Sequence, residues 1–168
     1  QDDEAFLRRV AAETGRLDII IDDGSHVNAH VLKTFQVLFP LLEAHGLYVI
    51  EDTQTSYWPG FGGSSDDLDR RDTVMGYFRS LVDGLNHEEF IKPGYAPSYV
   101  DRHMVALHFY RNMIFIEKGD NREGSTTIVH NRADAEWIVK DYRCSSSYLT
   151  GREQAPEVLI PPVQEQPE

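Results

Sequence analysis

Two pairs of adjacent acids stand out because each closes an apolar run. Asp22-Asp23 ends the stretch LDIIIDD, and Glu51-Asp52 ends LYVIED. Both runs read as buried strands. A carboxylate taken out of water is costly unless a cation or hydrogen-bond donors meet it. Neighbouring parallel strands lie about 4.8 Å apart. Their terminal acids therefore converge beyond the carboxyl ends, where open α/β sheets bind ligands. Several carboxylates at one point repel, and a divalent cation removes the conflict. An all-oxygen donor set suits Mg2+, or Mn2+, over zinc. Successive strand side chains point to opposite faces, so four acids share one ion only if the chain turns at once. Gly24 permits such a turn. That assigns Asp23 to a metal and leaves Asp22 for another ligand or a backbone cap. Glu51 and Asp52 both reach only if their strand has already ended. The competing reading is structural: Asp23 or Ser25 can cap the helix that opens near Val27.

His26 follows Asp23 by three residues. The reading puts it in the first turn of the next helix, where the positive end of the helix dipole favours a neutral ring able to accept a proton. His26 and His30 are four apart, but the intervening residues lack the glutamate of a zinc HExxH pair. His26 is therefore the candidate base and His30 a surface or packing residue. The segment after Asp52 carries Tyr57, Trp58 and Phe61 among Gly60, Gly62 and Gly63. It reads either as a mobile lid with stacking surfaces for a sugar or flat substrate, or as a loop pinned by its own aromatics. His103 and His108 fall on a strand pattern and read as structural.

The elements that must place these residues alternate. Residues 3–14 predict a helix with acids in the first turn and Gly15 as its stop. Residues 17–22 predict a strand buried on both faces. Val27 to Glu43 carries apolar residues at helical spacing, with Pro40 ending the helix early. Residues 47–50 form the second strand. Helix, strand, helix, strand is the order of an α/β fold with parallel strands and a right-handed crossover. Residues 70–86 predict another helix. Residues 99–110 and 112–118 predict a closing antiparallel pair that turns at Arg111-Asn112. A helix over 133–142 is expected, and the Pro- and Glu-rich last 15 or so residues are expected to be disordered. The chain divides into residues 1–118, which carry the site, and an extension over 119–168.

Composition narrows the partners. The 168 residues carry 16 basic and 28 acidic side chains, a net charge of −12, which excludes a phosphate-backbone binder. One cysteine, Cys144, forbids an intrachain disulfide and fits a cytoplasmic protein. No apolar run approaches the roughly 18 residues of a membrane span.

With DDGSH at 22–26 and IEDTQTSYWPGFGG at 50–63, residues 1–118 resemble a family. It is the metal-dependent S-adenosylmethionine O-methyltransferases of macrolide deoxysugar tailoring, of the mycinamicin and macrocin type. The resemblance implies a Rossmann-like class I methyltransferase sheet. It implies Asp23, Glu51 and Asp52 as Mg2+ ligands and His26 as general base. Asp22 would lie near the methionine part of S-adenosylmethionine and Gln1 at the adenine edge, with Tyr57 and Trp58 facing a glycosylated small-molecule substrate. The family is commonly homo-oligomeric. Its Gly-rich cofactor loop and acidic ribose ligand have no match in this sequence, which begins QDDEAF. The chain is therefore expected to be the C-terminal half of a catalytic domain, without its first strands, inactive alone and exposing an apolar sheet edge. Two other readings stand beside it: a metal-dependent hydrolase using the same acids and His26, and a non-enzymatic truncated module; within the fold, a cephalosporin-hydroxylase-like relative shares the type of scaffold.

Overall fold

The computed structural model describes residues 1–125 together with Ile128–Val129 and Arg132–Ala133. Helix α1 (Glu4–Thr14) starts at Asp3, whose carboxylate accepts from the Phe6 N–H, and stops at Gly15 in a positive-φ conformation that glycine adopts without strain. Strand β1 (Ile19–Asp22) leads through α2 (Asn28–Leu38) to β2 (Leu47–Glu51). β1 and β2 are parallel, with Asp22 opposite Ile50. Pro40 lies in the single 3-10 turn Phe39–Leu41 that closes α2, as a residue without an N–H requires.

Beyond β2 come 3-10 turns at Thr53–Tyr57 and Pro59–Phe61, helix α3 (Val74–Ser80) and a third 3-10 segment at Asp83–Glu89. The single helix expected over 70–86 is thus two pieces. Val74 and Phe78 are its buried side, while Val82 is exposed. Helix α4 (Tyr99–His103) precedes β3 (Met104–Tyr110) and β4 (Met113–Lys118). His103 is therefore helical rather than on a strand. Its ring lies 4.2 Å from that of Tyr99. His108 is on β3 and meets Glu117 across the hairpin at 2.8 Å. The hairpin turns at Asn112 in the left-handed conformation that Asn tolerates. A short pair, β5 (Ile128–Val129) and β6 (Arg132–Ala133), is antiparallel. Ala133 belongs to that strand, and the rest of the helix expected over 133–142, like the disorder expected in the tail, lies outside the described residues.

The main sheet runs β1-β2-β4-β3, with β4 antiparallel to both neighbours. One face is closed: Tyr48, Ile50, Ile114 and Ile116 are fully buried against Phe35, Phe39 and Phe78. The Phe35 ring sits 4.8 Å from Phe39, 4.8 Å from Phe78 and 5.3 Å from Tyr48. Buried aromatics each remove large apolar areas from water, and this contact set seats α2 on the sheet. The other face is covered at Val49 of β2 but open along β1 among the described residues. Ile19 is 62% and Ile21 59% exposed, so β1 is buried on one face, not two. The β-branched run of parallel strands is present, but only its alternate residues are covered.

Candidate functional site

β1 and β2 end side by side, and the chain turns sharply after each. After β1, Gly24 and Ser25 lead to His26 at φ 56°, in the left-handed region. Helix α2 begins two residues later, at Asn28. His26 is thus a loop residue, not part of the first helical turn. After β2, Asp52 itself takes the left-handed conformation, φ 53°, ψ 40°. Such backbone costs of order 1–3 kcal/mol and persists only where neighbours enforce it. Here they do: the Thr55 N–H and Oγ1 both donate to the Asp52 carbonyl, at 3.2 and 3.0 Å. The Thr53 N–H donates to the Asn112 carbonyl in the hairpin turn at 3.2 Å.

These two turns bring three ligand-type side chains together. The His26 Nε2 lies 3.7 Å from the Asp23 carboxylate and 3.4 Å from that of Asp52. One donor atom from each of Asp23, His26 and Asp52 fits within 4.8 Å of the others. Gln54 Nε2 donates to Asp52 Oδ1 at 3.1 Å and fixes that carboxylate from behind. Two polar atoms here are buried with no hydrogen-bond partner, His26 Nδ1 and Gln54 Oε1. Unmet capacity of this kind is uncommon in folded proteins outside sites that take a ligand, ion or water. Glu51 is the last residue of β2 and is not in the three-atom cluster. The strand continues through it, so its side chain follows the pleat. A divalent cation fits the donor chemistry of the two carboxylates, with Glu51 adjacent.

Asp22 sits apart from that cluster although it is next to Asp23. It is buried, receives a hydrogen bond from Gln1 Nε2, and has the Tyr48 hydroxyl 3.5 Å away. Burial pushes its carboxyl up to about 6, against the hydrogen bonds from Gly24, Tyr48 and Gln1. The same burial, with Asp22 beside it, pushes the Tyr48 phenol up as well. Gln1 is tied in further, since the Ser25 N–H donates to its Oε1 and the Thr34 hydroxyl to its carbonyl, at 2.5 and 3.2 Å. An open groove of about 510 Å3 runs past Gln1, Leu7, Ile20, Asp22, Ser25 and Thr34. Gln1 and Asp22 are thus together, and on the side of β1 that α1 and α2 flank.

Tyr57 and Trp58 are exposed, with the Trp58 ring 5.9 Å from Phe61. The backbone beneath them is held firmly. Gly63 packs so closely on Thr55 and Ser56 that a Cβ there would meet the Thr55 carbonyl at 2.4 Å. Of the two sequence readings of this loop, the pinned one describes its backbone, while two of its aromatics remain free to meet a ligand. His30 bonds Ser25 Oγ at 2.9 Å and lies 3.8 Å from Asp2, outside the cluster. Two residues of this region escaped the sequence reading, Gln54 and Asn28. Asn28 was legible as a polar residue opening an otherwise apolar helical pattern.

Comparison with known proteins agrees with this architecture. No family model matches the chain. The mycinamicin VI 2''-O-methyltransferase of Micromonospora griseorubida is 47% identical over 143 residues, 84% of this chain and 34% of that protein. The demethylmacrocin O-methyltransferase of Streptomyces fradiae is 48% identical over 143 residues, again 84% of this chain and 34% of that protein. The solved structure of the MycE methyltransferase in complex with Mg, SAH and mycinamycin VI superposes with a TM-score of 0.72 at 44% identity. It covers 89% of this chain and 36% of that one. The fold matches that of the corresponding part of this methyltransferase. More narrowly, the chain is homologous to macrolide sugar O-methyltransferases, and it spans about a third of the length of those relatives.

Proposed function

We propose that the protein transfers a methyl group from S-adenosylmethionine to a sugar hydroxyl of a glycosylated, macrolide-type natural product. The observation that carries this is the convergence of Asp23, His26 and Asp52 where parallel β1 and β2 end. Asp23 and Asp52 would hold Mg2+, with Glu51 joining by rotation of its side chain. A bound divalent cation supplies Lewis acidity that makes a sugar hydroxyl easier to ionise. His26 takes the hydroxyl proton at Nε2, the ring atom that faces the acids. Asp22 and Gln1 meet the cofactor in the groove beside β1. Tyr57 and Trp58 offer flat apolar surface to the acceptor, and their rigid backing limits how far it can stray from the base.

The chain's homology to sugar O-methyltransferases supports this reading over a hydrolase built on the same acids. With it go a cytoplasmic location, in keeping with a single cysteine, and a homo-oligomer. The 168 residues alone are assigned the metal-and-base side of the reaction without turnover.

Calorimetric titration of S-adenosylhomocysteine, with and without Mg2+, into the complete gene product and into this chain in parallel tests the proposal. Binding by the gene product supports it. No binding by the gene product sinks the methyltransferase reading and favours the hydrolase. Full binding and turnover by the 168 residues overturn only the assignment of inactivity.

A further inference from the structure

The Asn28 side chain is 1% exposed, and each of its hydrogen bonds goes to a different segment. Its Nδ2 donates to the Thr55 carbonyl at 3.1 Å and to the Phe61 carbonyl at 2.9 Å. Its Oδ1 accepts from the Val74 N–H at 2.7 Å. An amide has two N–H donors, and both are used. The segments joined are the ones the chemistry needs. Asn28 is two residues from His26. Thr55 is the residue that holds Asp52 in its left-handed turn. Phe61 closes the aromatic loop and touches Trp58. Val74 opens α3, whose next N–H, from Met75, donates to Ser56 Oγ at 3.0 Å.

We propose that Asn28 is a positioning residue, resting on the function proposed above. It sets the distance between the base-and-metal cluster and the aromatic wall, so that a hydroxyl seated against Trp58 arrives at His26. It touches neither substrate nor metal. It acts through the Thr55 and Phe61 carbonyls, which it ties to the start of α2. Without its two N–H donors the carbonyls part, and the aromatic loop moves relative to His26. Asp52 keeps Gln54 and its own turn, and Asp23 lies on the β1 side of His26, which Asn28 does not bond, so cation affinity is retained while acceptor alignment is lost.

The test is steady-state kinetics of the complete gene product with its glycosylated acceptor, alongside Mg2+ calorimetry. Asn28→Asp keeps the acceptor for the Val74 N–H and deletes both donors. The expected result is a loss in kcat/KM for the acceptor of about 100-fold, the scale of a misplacement of about 1 Å, with Mg2+ affinity within about threefold of wild type. A double-mutant cycle with Trp58→Ala supplies the readout that a merely structural residue would not move. In the Trp58→Ala background the Asn28→Asp loss shrinks to less than about fivefold.

If Asn28→Asp does not fold, Asn28→Ala, which removes the same two donors without setting a carboxylate against the Thr55 and Phe61 carbonyls, is put through the same cycle. Additive losses, or an unchanged kcat/KM in a folded variant, overturn the inference alone. An inactive wild type overturns the functional reading and this inference with it.

Discussion

The two ends of the sheet treat charge in opposite ways. At the end where β1 and β2 stop, Asp23 and Asp52 are exposed, His26 lies between them, and two buried polar atoms nearby lack partners. At the other end Lys118 is buried, 7% exposed, and its ammonium is saturated. It donates to the carbonyls of Phe39, Pro40 and Leu42, at 3.1, 3.0 and 2.5 Å. The rings of Phe39 and Tyr99 lie 5.6 and 5.5 Å from it. Those carbonyls lie in and just after the 3-10 turn that closes α2, where the helix dipole favours a cation. A charge that serves the fold has its bonding capacity used up. A charge placed for chemistry has capacity left over, and backbone strain beside it.

That contrast can be broken by substitution. His26→Ala in the complete protein is expected to lower kcat by about 10²–10⁴-fold, the usual worth of a general base. The unfolding midpoint should stay near wild type, because the ring is only partly buried and makes no short hydrogen bond. Kinetics and a thermal melt on the same preparation check both halves. An unfolded variant, or an unaltered rate, would deny the site its functional character.

Lys118→Met should do the reverse. It takes a charged donor from three carbonyls, of which Phe39 keeps the Leu42 N–H and Pro40 the Tyr99 hydroxyl, and costs about 3 kcal/mol in denaturant unfolding, with Mg2+ affinity of the folded fraction unchanged. A change in metal affinity would join two regions that the structure keeps apart. Mg2+ at about a hundred times its dissociation constant should stabilise the wild type by about 2.7 kcal/mol. The gain should vanish in Asp23→Ala, as measured by melting with and without chelator.

Asp22 sharpens the comparison from within the site, since it is the buried acid of the two neighbours. Its folded carboxyl titrates at about 6, above the ordinary 3.8. The folded state therefore holds that proton more tightly than the unfolded chain does. Its contribution to stability is full below the ordinary carboxylate value and is lost as pH rises through about 6. Asp22→Asn in metal-free buffer should flatten unfolding free energy across that window by about 3 kcal/mol. The smallest effect is expected at Arg16. Its pair with Asp18 is fully solvated, so Arg16→Ala should leave the unfolding midpoint within error.

The α/β order, the parallel pair, the Pro40 stop and the Asn112 turn were legible in the sequence because each rests on a local signal: periodicity, a missing N–H, or a residue that tolerates positive φ. Asp23 and Asp52 were legible because each closes an apolar run that reads as a strand, although the acid that is buried is their neighbour Asp22 and not these two. The position of His26 was misread by two residues, since a left-handed turn leaves no mark when the residue is not glycine. Exposure of Ile19 and Ile21 was missed for a different reason. An IIID run has the same composition whether one face or two are covered. Asn28 carried a weak mark, and its partners at Thr55, Phe61 and Val74 lie up to 46 residues away. No local pattern encodes such a closure.

The Lys118 clamp has a consequence for how the chain is made. Its acceptors precede it by 76 to 79 residues. At about 5–20 residues per second, the end of α2 waits roughly 4 to 15 seconds at the ribosome for the side chain that ties it down. Until β4 emerges, the helix carrying Phe35 has neither its clamp nor the strand that completes its sheet. Nascent chains stalled before residue 118 should therefore be open to protease at Phe39–Leu42, and chains stalled well past it should be closed.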